Sequence, residues 1–196
     1  MGVDKMESNL VKEEWINGIA MMSPRPQYNH MKIEGKIYFQ LEKYFNNKCD
    51  VIIESSLFLT KENVIEIKQD LLKLKELISA KKAETVPDVA VYCDKQQRIK
   101  RGFIGVPQLI VEVLSPSNST DDTEIKKETY QKYGVPEYWI ADPMTKTVFV
   151  YGLENDIYKP KGKYKFLEEE IKSSRFADLV VDIKYIELFE DDEDDI

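Results

Sequence analysis

Two acids stand where a strand should carry only apolar side chains. Asp88 follows Pro87 at the start of the run Val89-Ala90-Val91-Tyr92, and Glu112 interrupts Leu109-Ile110-Val111 and Val113-Leu114. A carboxylate inside a buried strand is costly unless an ion pair, hydrogen bonds or a metal compensates it. Side chains alternate along a strand, so Ile110, Glu112 and Leu114 share one face and Val111 and Val113 the other. Two adjacent strands that each present one acid can hold a hard divalent cation. Magnesium suits such a pair, being held by one or two carboxylates, waters and substrate phosphates. The plain structural alternatives are a turn or capping acid for Asp88 and a salt-bridged core acid for Glu112, and spacing alone does not choose. Further on, Lys126 and Tyr130 are four residues apart and share a helix face, while Lys127 points about 100° away.

Other candidates are weaker. Ser115 and Ser117 resemble nucleophiles, but the single histidine, His30, is distant and no Gly-x-Ser-x-Gly turn is present, so loop geometry and helix capping explain them better. Lys95, Arg98, Lys100 and Arg101 lie between the two acid-bearing strands and read as a solvated turn, or as a hairpin tip able to touch phosphates. Glu54 has no assignable role. Cys49 and Cys93 are too few for a disulfide framework or a four-thiolate zinc site, and they read as buried free thiols in a reducing setting.

The elements that must position these residues follow from periodicity and turn chemistry. Asn17-Gly18 joins two short strands as a hairpin, and Ser23-Pro24-Arg25-Pro26 stops the sheet. Met31, Ile37, Tyr38, Leu41, Tyr44 and Phe45 mark an amphipathic helix over 27–46. A strand is expected over 51–59, and a surface helix over 65–82 from Ile67, Leu71, Leu74 and Ile78. Strands over 86–93 and 108–114 follow, then a loop over 115–120 and a helix over 123–133, stopped by Gly134 and Pro136. Strands over 137–141 and 147–153 flank an Asp142-Pro143 turn, a further strand or hairpin covers 158–166, and a short helix is expected over 181–189. The mixture reads as one α/β domain over 11–189, after a flexible N-terminus over 1–10.

Composition excludes several classes. The 196 residues carry 28 lysines and arginines against 36 acids, a formal charge of −8. Six of those acids lie in Glu190–Asp195, so the remaining 30 nearly balance the bases, and residues 190–196 read as an acidic disordered tail. No basic excess announces nucleic acid, although a neutral body can still hold a local basic groove. No apolar run reaches the roughly 18 residues of a membrane helix, and the start has no apolar signal region. A cytoplasmic location is expected.

The central block resembles one family closely. Pro87-Asp88, Val111-Glu112-Val113-Leu114-Ser115-Pro116-Ser117, Lys126, Tyr130 and Gly134-Val135-Pro136-Glu137-Tyr138-Trp139 look like the Uma family, a restriction-endonuclease-like branch of the PD-(D/E)XK nuclease superfamily. Glu14-Trp15-Ile16-Asn17-Gly18, Ser23-Pro24 and His30 resemble its opening, and Phe176-Ala177-Asp178-Leu179 through Leu188-Phe189 its close. The resemblance implies a mixed central sheet flanked by helices and an endonuclease that uses Mg²⁺ or Mn²⁺ to hydrolyse DNA. Asp88 and Glu112 would be the metal ligands and, with Lys126, the catalytic residues; Glu14, His30 and Tyr130 would be accessory. The sequence departs from the superfamily pattern at Leu114, where lysine is usual, and Lys126 matches the place from which this branch supplies it. It departs again at Ile19, where a second acid is common. The helix over 65–82 resembles an insertion. A homodimer is implied by resemblance, and the alternative is an inactive nuclease-fold module serving in binding or assembly.

Overall fold

A computed structural model describes residues 11–24, 27–115 and 120–189. The N-terminal stretch over 1–10, Arg25 and Pro26, Ser117 and its neighbours, and the acidic run over 190–196 lie outside the described residues.

The described residues form α/β architecture with two six-stranded sheets, a two-stranded sheet, and one long and three shorter α-helices. Strands β1 (Val11–Ile16) and β2 (Ile19–Pro24) form the expected hairpin. Asn17 and Gly18 both take positive φ, 51° and 79°, the backbone a two-residue turn of this hand requires. Helix α1 (Tyr28–Phe45) buries Ile33, Ile37, Leu41 and Phe45 at four-residue steps. Met31 of the expected stripe faces outward instead.

The strand expected over 51–59 is two strands in different sheets. β3 (Asp50–Ile53) pairs with β6 (Val89–Tyr92), whereas β4 (Leu57–Phe58) pairs with β5 (Ala83–Thr85) and β8 (Gly102–Ile104). Glu54, at φ 45°, turns the chain between them. The helix expected over 65–82 is also two: α2 (Val64–Gln69) and α3 (Leu71–Ser79). Asp70 breaks it because its carboxylate caps α3, accepting from the Leu72 and Lys73 amides at 2.9 and 3.2 Å.

The first sheet runs β2-β1-β5-β4-β8-β7, with β7 being Arg98–Ile99. The second runs β12-β11-β10-β9-β6-β3, from β9 (Leu109–Val113), β10 (Glu137–Asp142), β11 (Thr147–Glu154) and β12 (Ile157–Lys165). β9 and β10 are parallel neighbours and so need a crossover. Helix α4 (Thr120–Tyr133) supplies it, starting three residues earlier than expected, and Gly134 at φ 86° closes it with its N–H on the Tyr130 carbonyl at 3.0 Å. The segment expected as a helix over 181–189 instead adds β14 (Val180–Asp182) to β13 (Glu170–Lys172). Val181 and Ile183 are both buried, a two-residue period that a strand satisfies and a helix does not.

The cysteines also depart from expectation. Cys49 and Cys93 are joined as a disulfide, one step beyond the Asp50–Tyr92 rung of the β3–β6 ladder. The register places the two residues opposite each other with Cα atoms 4.1 Å apart, so the free-thiol reading fails, and with it the argument from thiols to a reducing compartment. Among the described residues no helix is long and apolar enough to cross a membrane.

Candidate active site

The two faces of the second sheet differ. Leu109, Val111 and Val113 of β9 join an apolar core with Val89, Val91 and the α1 stripe. Ile110 points the other way, into a second core that contains Tyr130 of α4 and Tyr138 and Ile140 of β10. Glu112 is on that second face by alternation. β6 and β9 run antiparallel with Val89 opposite Val111, and one more step along the register brings Asp88 opposite Glu112. Both acids are therefore on one side of the sheet, 3% and 5% exposed.

Asp88 Oδ2 accepts the Val113 N–H at 2.7 Å, and His30 Nε2 from the first turn of α1 lies 3.5 Å from the same oxygen. α4 lays Lys126 and Tyr130 over the acids. Lys126 Nζ is 3.2 Å from Glu112 Oε2 and 2.8 Å from Glu14 Oε2. The Tyr130 hydroxyl donates to Glu112 Oε1 at 2.7 Å. Glu14, on β1, completes the ring by accepting the Val86 N–H on Oε1 at 2.6 Å, two residues before Asp88.

Burial alone would pull the Lys126 ammonium below its ordinary pKa. The charges of Glu112, Glu14 and Asp88 outweigh that, and its pKa is raised. Burial, reinforced by Glu112 and Glu14, pushes the Tyr130 phenol well above its ordinary value. The phenol therefore keeps its proton and must act as donor to Glu112. Glu14, Asp88 and Glu112 all bring their charge to the Lys126 ammonium. The hard oxygen donors and the shared face of the two acids suit a divalent cation held by Asp88 and Glu112. Among the described residues no group of three or more His, Cys, Asp or Glu is arranged as a metal cage, so waters and a substrate phosphate would have to complete the shell.

Asp88, Glu112, Lys126, Glu14, His30 and Tyr130 thus come together. Ile19 does not: it is exposed at the start of β2. Lys127 turns aside to cover the Tyr151 ring, and Arg98 forks onto Asp50. Ser115 is buried and lines a cavity of about 140 Å³ with His30 and Leu114. The Glu14–Lys126 pair was not legible in the sequence, because nothing local links β1 to α4. Tyr138, expected as a core aromatic, carries a buried hydroxyl without a hydrogen-bond partner among the described residues, close enough to Glu112 and Asp88 to feel their charge. It stands opposite Ile110 in the β9–β10 register, which no local pattern in the sequence reports.

Residues 3–184 match the family model described as "Uma2: Putative restriction endonuclease". The chain belongs to the Uma2 family. This Uma2 chain is also similar to a solved structure from Anabaena variabilis, titled a "putative nuclease belonging to DUF820". The two are 21% identical with a TM-score of 0.65, over 89% of this chain and 88% of that one. That likeness shows a shared fold. No curated protein matches the Uma2 chain.

Proposed function

We propose that the chain is a divalent-cation-dependent endonuclease that hydrolyses DNA phosphodiester bonds, with Asp88 and Glu112 holding the cation and Lys126 as catalytic residue. The observation that carries the reading is the convergence of two in-register buried acids with a buried ammonium on one face of the sheet.

A phosphodiester is anionic, so a hydroxide approaching it is repelled and the leaving alkoxide is poor. Bound to the Asp88 and Glu112 oxygens, Mg²⁺ or Mn²⁺ would supply charge neutralisation at the phosphate and a lowered pKa for water. Lys126 stays protonated among its three acids, so it serves as a fixed positive charge facing the developing pentacoordinate phosphorus rather than as a base. Glu14 holds that ammonium from the β1 side, and Tyr130 fixes the orientation of Glu112. His30 orients Asp88 from the wall of the small cavity. Cutting both strands of a duplex with one site per chain calls for two copies, so a homodimer is part of this reading.

A second reading, an inactive nuclease-fold module, is favoured by one fact: both Glu112 oxygens already have protein partners in Tyr130 and Lys126. Incubation of purified protein with plasmid DNA and Mg²⁺ or Mn²⁺ decides between them. Cleavage that disappears in Glu112→Ala, with a loss on the order of 10³-fold or more, supports the enzyme. Cleavage unchanged in Glu112→Ala, or no calorimetric binding of millimolar metal to folded protein, sinks it.

A further inference from the structure

A second cleft lies away from the acids. It has a volume of about 750 Å³ and lies at the far end of α4, walled by α3 and bounded by residues 59–62, after β4, and by Ala83 at the start of β5. Lys61, Lys73, Lys82 and Lys132 line it, against two acids, Glu62 and Glu76, with the Tyr133 ring at its side. The lysines are exposed. Among the described residues none of the four has a carboxylate within ion-pair distance; Lys132 instead lies over the Tyr133 ring, 5.8 Å from its centre.

The helical insertion is shaped for this cleft. α3 packs Leu74, Leu77 and Ile78 toward the small core of Phe58, Ile67 and Ile104. Lys73, Glu76 and Ala80, at three- and four-residue steps, line the cleft, with Leu77 at the border of the two. Such a helix does more than cover the core, because its second face is given to a partly cationic wall.

The cleft is joined to the acids through α4 and β5. α4 carries Tyr130 and Lys126 on one stretch and Lys132 and Tyr133 on the next, about 9 Å apart between Lys126 and Lys132 at 1.5 Å per residue. Lys82 leads through β5 into Val86, which donates to Glu14.

We infer that this cleft is a binding track for a single strand of the DNA substrate, flanking the scissile bond, with phosphates on Lys61, Lys73, Lys82 and Lys132 and a base against Tyr133. Unpaired lysines over an aromatic ring are the chemistry by which single strands are held without sequence preference: phosphates give the salt-dependent affinity and the ring stacks a base. The inference rests on the nuclease reading for the identity of the substrate, but its test does not depend on cleavage.

The test uses a fluorescein-labelled oligothymidylate and the full chain in chelator, read by fluorescence anisotropy across a salt series. Wild type should bind with a steep salt dependence. In Lys73→Ala/Lys132→Ala the slope of log K against log salt should fall by about 1.4, from about 0.7 per lost single-strand phosphate contact. Tyr133→Leu should weaken binding at every salt concentration while leaving the slope unchanged. All three lysine and tyrosine changes are checked for native melting, and Lys61→Ala/Lys82→Ala provides an independent pair should one variant unfold. Affinity and slope unchanged in both lysine pairs would overturn the inference, as would a duplex of equal length competing better than the strand. Binding that depends on these lysines in a protein that cuts nothing with any cation leaves the track standing and removes the nuclease reading. Cleavage of a single strand that ignores the lysines does the reverse.

Discussion

The two faces of one sheet do different work. On one, β9 sends Leu109, Val111 and Val113 into a continuous apolar core under α1. On the other, the same strand sends Ile110 and Glu112 beneath α4, where Glu112 meets Lys126 and Tyr130. The first face stabilises by removing apolar area from water, a contribution that tolerates small shifts in shape. The second carries buried charges whose desolvation is offset only by close partners, so it contributes little net stability and depends on geometry. The contrast shows where this fold can be altered without touching chemistry, and where it cannot.

The sharpest way to break the contrast is to remove the cation from the polar face. Lys126→Met removes the ammonium that Glu14 and Glu112 share and should cost about 3–5 kcal/mol in urea denaturation, with cleavage lost as well. Its pH dependence follows from the raised Lys126 pKa. The folded value lies above the unfolded one, so the stabilisation is fully present below the ordinary lysine value and is lost as pH rises through the folded pKa. Wild type should therefore lose this contribution only in strongly alkaline solution, and Lys126→Met should show no such loss.

The edge of the sheet offers a second probe. Cys49–Cys93 ties β3 to β6 across 44 residues of sequence, and reduction should lower stability by about 2–4 kcal/mol, read as a fall in Tm with added reductant. Cleavage per folded molecule should not change, because the tie lies at the end of β6 remote from Asp88. On the apolar face, Val111→Ala should cost about 2 kcal/mol by cavity formation and leave cleavage by the remaining folded protein intact. A large activity loss there would show that the two faces are coupled. The smallest effect belongs to Tyr130→Phe, which removes one hydrogen bond to a charged acceptor. It should reduce cleavage about tenfold, equivalent to about 1.4 kcal/mol, with little change in melting.

Much of the fold could be read directly from local patterns. The Asn17-Gly18 hairpin, α1, the acid-bearing strands and the Gly134 stop follow from turn chemistry and periodicity, which act over a few residues. The alternation that set Glu112 beside Ile110, and the four-residue spacing of Lys126 and Tyr130, are of the same kind. Errors fell where distant packing overrode a local signal. Glu54, at the start of the polar interruption Glu54-Ser55-Ser56, hands the chain from one sheet to the other. Asp70 prefers to cap α3 than to continue one helix. Val181 finds a strand partner, Ile171 of β13, that no local pattern announces.

The sequence by itself determined which residues are capable of the chemistry: acids inside apolar strands, a lysine one helical turn before a tyrosine, and the motif that places them in their family. Tertiary structure alone decided that Asp88 and Glu112 stand opposite each other, that Glu14 from the first hairpin holds Lys126, that Cys49 meets Cys93, and that four lysines from separate elements line one cleft. The physical reason is range. Periodicity reports which side of its own strand or helix a residue takes, whereas the partner waiting on that side is chosen by register and crossover, which depend on the whole packed chain.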